Sequence, residues 1–189
     1  MFNYEEAFSR NIGWVTKEEQ QKLRNTKVAI GGLGGVGGDH TIVLARLGIG
    51  NFHISDLDDY DVANFNRQAG ANMSTLGKAK AAVMEETVRG INPEATIKNF
   101  DSGINEDNLD EFLEGVDIYV DSLDIFVLEI RRKVFRRCYE KGIPTITAAP
   151  MGMGTAFLVF MPGKMSFDEY FAIVDAAANA SEEEKANFQ

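Results

Sequence analysis

The segment Gly31-Gly32-Leu33-Gly34-Gly35-Val36-Gly37-Gly38 follows the β-rich run Lys27-Val28-Ala29-Ile30 and spells G-x-G-x-x-G at Gly32, Gly34 and Gly37. Glycine admits positive φ and lets backbone N–H groups approach a ligand closely, while the N-terminus of a following helix attracts phosphate. The motif is informative because it leaves a strand and opens a helix. Asp56 closes the next β-rich run about 20 residues on, where a carboxylate can accept both hydroxyl protons of a ribose. Arg67 and Lys80 come next. A guanidinium grips phosphate bidentately, and a lysine in the first turn of a helix adds a point charge to the helix dipole. A nicotinamide dehydrogenase needs no cationic cluster just past its ribose acid, so these two cations favour a triphosphate over NAD.

The run Val116–Val120 ends in Asp121-Ser122-Leu123-Asp124. Ligands of open α/β sheets sit at the carboxyl ends of strands, and magnesium takes one or two carboxylates while water and phosphate fill its other positions. Asp124 is read as the metal carboxylate and Asp121 as a cap of the following helix.

The elements that position these residues alternate. Asn51–Asp56, Ala95–Asp101, Val116–Val120, Thr145–Thr147 and Thr155–Phe160 read as strands. Asp39–Leu47, Lys78–Arg89, Asp107–Leu113 and Phe126–Lys141 read as helices. Gly142 and Pro144 end the last of these. Strands alternating with helices imply an α/β, Rossmann-like fold: a mostly parallel sheet with helices on both faces. Capping boxes at Thr16–Glu19 and Ser166–Glu169 add an N-terminal helical extension and a C-terminal helical segment, the latter with Phe167, Tyr170, Phe171 and Val174 on one face. Met151 and Met153 are read as lining a flexible crossing loop.

The 189 residues carry 19 Lys and Arg against 29 Asp and Glu, a formal charge of −10. That length suits one domain, and 44% hydrophobic with 25% charged residues excludes a disordered chain. The acidic balance argues against a general nucleic-acid surface. No apolar run approaches the ~20 residues that span a bilayer. The first residues, Met1-Phe2-Asn3-Tyr4-Glu5-Glu6, lack the basic and apolar regions of a secretory signal, which gives a cytoplasmic expectation without a membrane partner. Cys138 is the single cysteine, so neither an intrachain disulfide nor a four-cysteine zinc site is expected. It reads as a buried structural thiol, and His40 and His53 as structural histidines. Nine acids and no Lys or Arg occupy Asp101 to Asp124, whereas Arg131, Arg132, Lys133, Arg136, Arg137 and Lys141 crowd the next helix. This basic run is read as a solvated face with Glu129 attracting Lys133.

Taken in order, Gly32-x-Gly34-Gly35-x-Gly37, Asp56-x-Asp58, Asn64-x-x-Arg67-Gln68, Lys80, Ile91-Asn92-Pro93 and Val120-Asp121-Ser122-Leu123-Asp124 carry a resemblance spanning Arg10 to about Met161. The chain resembles ThiF/MoeB-type adenylyltransferases, the superfamily that includes the ubiquitin-activating enzymes. The resemblance implies an ATP-binding adenylation domain over residues 1–165, with 166–189 as a helical segment whose polar end, lacking a stop signal, is compatible with a longer chain. It implies activation of a carboxylate as an acyl-adenylate with Mg-ATP, most often the C-terminal glycine of a ubiquitin-like or sulfur-carrier protein ending in Gly-Gly. Gly32, Gly34, Gly35, Gly37, Asp56, Asp58, Asn64 and Gln68 would then bind nucleotide. Arg67, Lys80 and Asp124 would be catalytic, Asp124 with Mg2+, and Arg10 would reach the triphosphate of a partner in a homodimer.

The chain departs from that pattern in four places. It has no Cys-x-x-Cys pair for zinc and no cysteine on a loop beyond the core, Ile125 follows Asp124 where relatives usually carry Asn, and the N-terminal arginine signature is reduced to Ser9-Arg10-Asn11. ATP-dependent tRNA threonylcarbamoyladenosine dehydratases are a second branch that the residues resemble equally, although the net charge argues against tRNA. A catalytically inactive scaffold is a third reading, opposed by the joint presence of Asp56, Arg67, Lys80 and Asp124. An NAD-binding Rossmann protein is a fourth, opposed by the two cations.

Overall fold

Val28 and Ile30 of β1 (Lys27–Gly31) pack into one hydrophobic cluster and Ala29 into another, so this strand is buried on both faces. A strand of that kind belongs at the centre of a parallel sheet. The computed structural model describes residues 1–173. Its sheet adds β2 (Asn51–Ser55), β3 (Thr96–Phe100), β4 (Ile118–Asp121), β5 (Thr145–Met151) and β6 (Gly154–Phe160) in the order β3-β2-β1-β4-β5-β6. All neighbours pair parallel except β5 and β6. The Rossmann-like expectation holds.

Helices cover both faces. The α1 (Tyr4–Ala7) and α2 (Lys17–Asn25) helices precede β1; α3 (Gly35–Leu47) and α4 (Lys80–Ile91) follow β1 and β2. Ala45, Ala81, Met84 and Val88 of α3 and α4 meet Ile30, Phe52, Ile54 and Val120 in the first cluster. On the other face α5 (Leu109–Phe112), α6 (Leu128–Lys141) and α7 (Phe167–Tyr170) bring Phe112, Val134, Phe135, Cys138 and Phe167 against Tyr119 and Phe160. No described helix is long and apolar enough to cross a membrane.

Several local expectations hold and several are corrected. Thr16 and Ser166 both close their capping boxes. The segment expected as a crossing loop is instead a hairpin: Met151 pairs with Gly154 across a two-residue turn, and Pro150 and Met151 lie within β5. The C-terminal helix stops at Tyr170, with Phe167 buried and Tyr170 and Phe171 exposed; Val174 lies outside the described residues. The crossover helix begins as a 3-10 turn at Ile125–Val127 before α6 proper.

The basic face of α6 is not simply solvated. Arg137 holds Asp110 through two bonds of 2.7 and 2.8 Å, Lys133 pairs with Glu106, and Arg132 grips Asp168 at 3.0 and 2.9 Å. Glu129 meets Arg132 at 3.8 Å rather than Lys133. The acidic segment before β4 and the basic helix after it are therefore one paired surface. His53 is structural, as expected: a carbonyl only accepts, so its Nδ1–H donates to Phe112 O at 2.7 Å.

Burial pushes the pKa of His53 down, and that of His40 likewise. The native state therefore binds fewer protons than the unfolded chain near and below the ordinary value of about 6.5, so stability is present above that value and falls as pH drops through it. The melting temperature is expected to fall between about pH 7.5 and about pH 5.5, and His53→Gln to flatten that dependence in thermal melts.

Candidate functional site

The chain reverses its order across the sheet between β1 and β4, and their carboxyl ends flank the crevice where open α/β sheets bind ligands. Three glycines close the floor for different reasons. Gly32 has φ +85°, and a Cβ there would overlap the Ser122 carbonyl group. Gly37 has no room either, since its Cβ would run into the Gly32 carbonyl and lie 2.9 Å from Ser122 Cβ. Gly34 differs. It caps α3 at φ −70°, and its Cβ would meet Gln68 at an ordinary 3.5 Å, so the fold itself leaves space that a ligand can use. A Cβ at Gly35 would lie 3.2 Å from Arg67 O, which puts the Arg67 backbone on the wall of the turn.

Asp56, just beyond β2, is half-buried and ties the turn down. Its Oδ2 accepts from Leu33 N at 2.7 Å and its Oδ1 from Asp58 N at 2.9 Å. Lys80 opens α4, whose N-cap Ala79 offers no side-chain bond, and its side chain is only 7% exposed. A lysine this buried needs a partner. It finds Asp58, Nζ to Oδ2 at 3.0 Å, while Lys80 N donates to Asp58 O at 2.9 Å.

The loop between them carries the rest. Asn64 Oδ1 accepts from Asp61 N at 2.8 Å, closing a capping box on the 3-10 turn Val62–Asn64. Asn64 O accepts from Arg67 N and Gln68 N. The exposed Arg67 guanidinium folds back on Ala63 O and Asn66 Oδ1 at 2.9 and 3.0 Å. Gln68 is buried beside Gly34, and its Oε1 has no hydrogen-bond partner among the described residues. Asn92, by contrast, is fully buried under Ile49 O at the far end of α4 and belongs to the scaffold.

On the opposite wall, Ser122 N donates to Gly31 O at 2.8 Å, so the loop after β4 starts in contact with the glycine turn. Asp124 is exposed and caps the Ile125–Val127 turn through Phe126 N at 3.1 Å. One of its oxygens is thereby engaged, and a single carboxylate suffices for magnesium when phosphates supply further ligands. No group of three or more acidic, His or Cys side chains suited to a metal occurs among the described residues.

Asp121 does not cap the helix. It is fully buried and bonded to Arg131 Nε at 2.7 Å, and burial pushes its carboxyl upward against the pull of Arg131. Sequence reasoning missed Arg131, because nothing local separates it from the five other cations of its helix.

Arg10 is not with these residues. It is exposed in the 3-10 turn Ser9–Asn11, and that segment is pinned rather than free: Tyr4 and Phe8 are buried, and Asn11 Nδ2 donates to Leu47 O at 3.0 Å. Leu47 ends α3, the opposite end from the glycine turn. Cys138 is buried, and its thiol is pushed up to about 12 by desolvation, as a structural cysteine should be.

A glycine turn at the switch point of a mostly parallel, doubly covered sheet defines a Rossmann-like domain. The chain belongs to the ThiF family, which it matches over residues 8–187. It is 34% identical over 142 residues to the tRNA threonylcarbamoyladenosine dehydratase of Bacillus subtilis (strain 168), covering 75% of this chain and 55% of the relative. It is 33% identical to the molybdopterin-synthase adenylyltransferase of Haemophilus influenzae, covering 77% and 59%. Among solved structures, the Escherichia coli tRNA N6-threonylcarbamoyladenosine dehydratase TcdA in complex with ATP matches with a TM-score of 0.72 at 30% identity, over 76% of this chain and 58% of that one. The chain thus spans less than two thirds of the length of these relatives.

The glycine geometry separates packing from binding. Gly37→Ala is expected to lower stability by about 3 kcal/mol through overpacking. Gly34→Ala should stay within about 1 kcal/mol of wild type yet lose about tenfold in nucleotide affinity. Denaturant melts and titration with ATP measure the two effects.

Proposed function

We propose that this domain activates a carboxylate by adenylation with Mg-ATP, a reading supported by relatives named adenylyltransferases. What supports the reading is the open Gly34 position beside Gln68, with the Arg67 backbone against Gly35 and Lys80 paired to Asp58 on the same side, while Asp124 lies two residues beyond Ser122, whose carbonyl abuts Gly32. Gly32, Gly34, Gly35 and Gly37 cradle phosphate with backbone N–H groups, Asp56 takes the ribose, and Asn64, Asp58 and Gln68 hold the facing loop and its cations in place. Lys80 leaves Asp58 for the triphosphate, which offers it more charge. Arg67 is exposed and swings onto a phosphate. Asp124 would hold Mg2+, which when bound would supply positive charge beside the phosphates. The substrate carboxylate is already ionised, so no protein base is needed, and these residues act by positioning and charge neutralisation.

The substrate we propose is the C-terminal glycine of a ubiquitin-like or sulfur-carrier protein. Relatives named tRNA threonylcarbamoyladenosine dehydratase support a second reading, activation of a small carboxylate on tRNA. Against it, the cations of α6 are committed to Asp110, Glu106, Asp121 and Asp168 of the same chain. A thioester step does not follow from Cys138, buried as it is. Pyrophosphate exchange into ATP is expected with a carrier ending in Gly-Gly and not with modified tRNA, and Asp124→Ala should lower it at least about 100-fold while ATP binding weakens less. Near-normal exchange in that variant would remove Asp124 from the mechanism.

We also propose a two-fold dimer. On the face of the sheet shared by Val120 and Ile146, the last two strands lack a covering helix among the described residues: Phe157 and Val159 of β6 are 62% and 47% exposed. A sheet face this apolar is normally covered. Arg10 sits about 20 Å from its own glycine turn, the length of the 13-residue α3. In a two-fold dimer it would serve the partner's triphosphate rather than its own. Phe157→Glu is expected to give a monomer by light scattering. Inactive Arg10→Ala and Asp124→Ala subunits, once mixed dimers are verified by mass, should regain exchange activity, because one site in each is intact.

A further inference from the structure

We propose that Arg131 and Asp121 form a buried clamp that positions the Asp124 carboxylate, which makes Arg131 a positioning residue for the metal end of the site; the inference rests on the role of Asp124 proposed above. Side chains from β4, β5 and α6 meet beneath the crevice. Arg131, in the first turn of α6, reaches Asp121 Oδ2 through Nε at 2.7 Å and Nη2 at 2.6 Å, and its Nη2 also donates to Thr147 Oγ1 at 2.9 Å. The Thr147 hydroxyl in turn bonds Asp121, and Tyr119 OH donates to Asp121 Oδ1 at 3.4 Å. The guanidinium lies 5.4 Å from the Phe167 ring centre. A fork bound on two sides tolerates little displacement, and a buried carboxylate stripped of its cation is strongly unfavourable.

The clamp joins the two ends of one loop. Residues 122–130 leave from Asp121 and return to Arg131. Ser122 N, bonded to Gly31 O, fixes the departure, and the guanidinium fixes the return. Between these ends Ile125 is 70% exposed and Phe126 is 91% exposed, so packing does little to hold the turn. Asp124 bonds within that same turn. Its place relative to the glycine cradle is therefore set by the ends of the loop. The other cations of α6 face outward to acids of α5, α6, α7 and the segment before α5, whereas Arg131 turns inward to the sheet.

The test compares ATP affinity in chelator with ATP affinity in Mg2+, by calorimetry, and counts ATP-dependent Mn2+ binding by electron paramagnetic resonance. The variants are Asp121→Asn/Arg131→Gln, Thr147→Val and Asp124→Ala. The double variant removes both buried charges and leaves an amide pair that can still bond. It is expected to keep metal-free affinity within about twofold and to lose about fivefold of the Mg2+-dependent gain, with matching loss of bound Mn2+. Thr147→Val frees one side of the guanidinium, should lose about twofold of the gain, and decides the matter if the double variant does not fold. An undiminished gain in the folded double variant, or in Thr147→Val where only that variant folds, overturns the clamp. So does an equal loss of metal-free and metal-dependent affinity, which is what a merely structural pair would give. The adenylation reading fails separately, if wild type shows no Mg2+-dependent gain or if Asp124→Ala keeps it.

Discussion

The backbone of the glycine turn touches the backbone of the loop after β4, and the rest of the site is arranged around that contact. Gly32 lies against the Ser122 carbonyl, and Gly37 lies against both Gly32 and the Ser122 side chain, with no volume for a methyl group at either position. Close-packed interiors do not yield to extra atoms without strain. Two glycines are thus required by packing alone, before any ligand is considered. Their contact fixes how far the N-terminus of α3 stands from the carboxyl end of β4, and so how wide the crevice is. Asp56 closes the same turn from the β2 side through Leu33 N. A nucleotide bound over Gly34 would lie between two walls whose separation is set by backbone, not by long side chains.

What the sequence made legible is what depends on local pattern. Alternation of β-rich runs with amphipathic stretches gave every strand and the parallel sheet, and the two capping boxes marked the starts of α2 and α7. Gly32, Gly37 and Asp56 were readable because the turn needs them at fixed spacing. The misreadings share a cause, which is pairing between distant residues. Asp121 reads locally as a helix cap, and only the sheet register, which sets it beside Gly31 and Thr147, buries it against Arg131. The glycine and methionines at 151–153 read as a loop, and only the strand Gly154–Phe160 returning along β5 makes them a hairpin. The Asp58–Lys80 pair joins residues 22 apart. No window of sequence shows it.

The uneven charge of the chain has a similar explanation. Nine acids from Asp101 to Asp124 and six cations after Glu129 look like two solvated faces in sequence. In the fold, Asp110 alone takes Arg137 and Lys141, Glu106 takes Lys133, and Asp168 takes Arg132 and Arg136. Exposed pairs of this kind add little stability individually. Their effect is on recognition, since a cation already paired with a carboxylate offers phosphate less attraction than one facing water. A basic helix that reads as a solvated cationic face in one dimension is closer to neutral in three.

Adenylation asks little chemistry of a protein. The attacking group arrives ionised and the leaving group departs with its own charge, so what must be supplied is fixed positive charge in the right place. In the adenylation reading proposed above, Lys80, Arg67 and a metal held by Asp124 would supply part of it from within one chain. Arg10 cannot join them there, because α3 stands between its segment and the glycine turn, and the bonds from Asn11 and Tyr4 to Leu47 and Gly48 hold that segment at the far end. Either the site works with fewer cations than the family pattern implies, or a second copy brings its own Arg10 to it. Phe157 and Val159 lie on a sheet face that no described helix covers, so the two-fold contact proposed above would bury apolar surface in addition to any cation it brought.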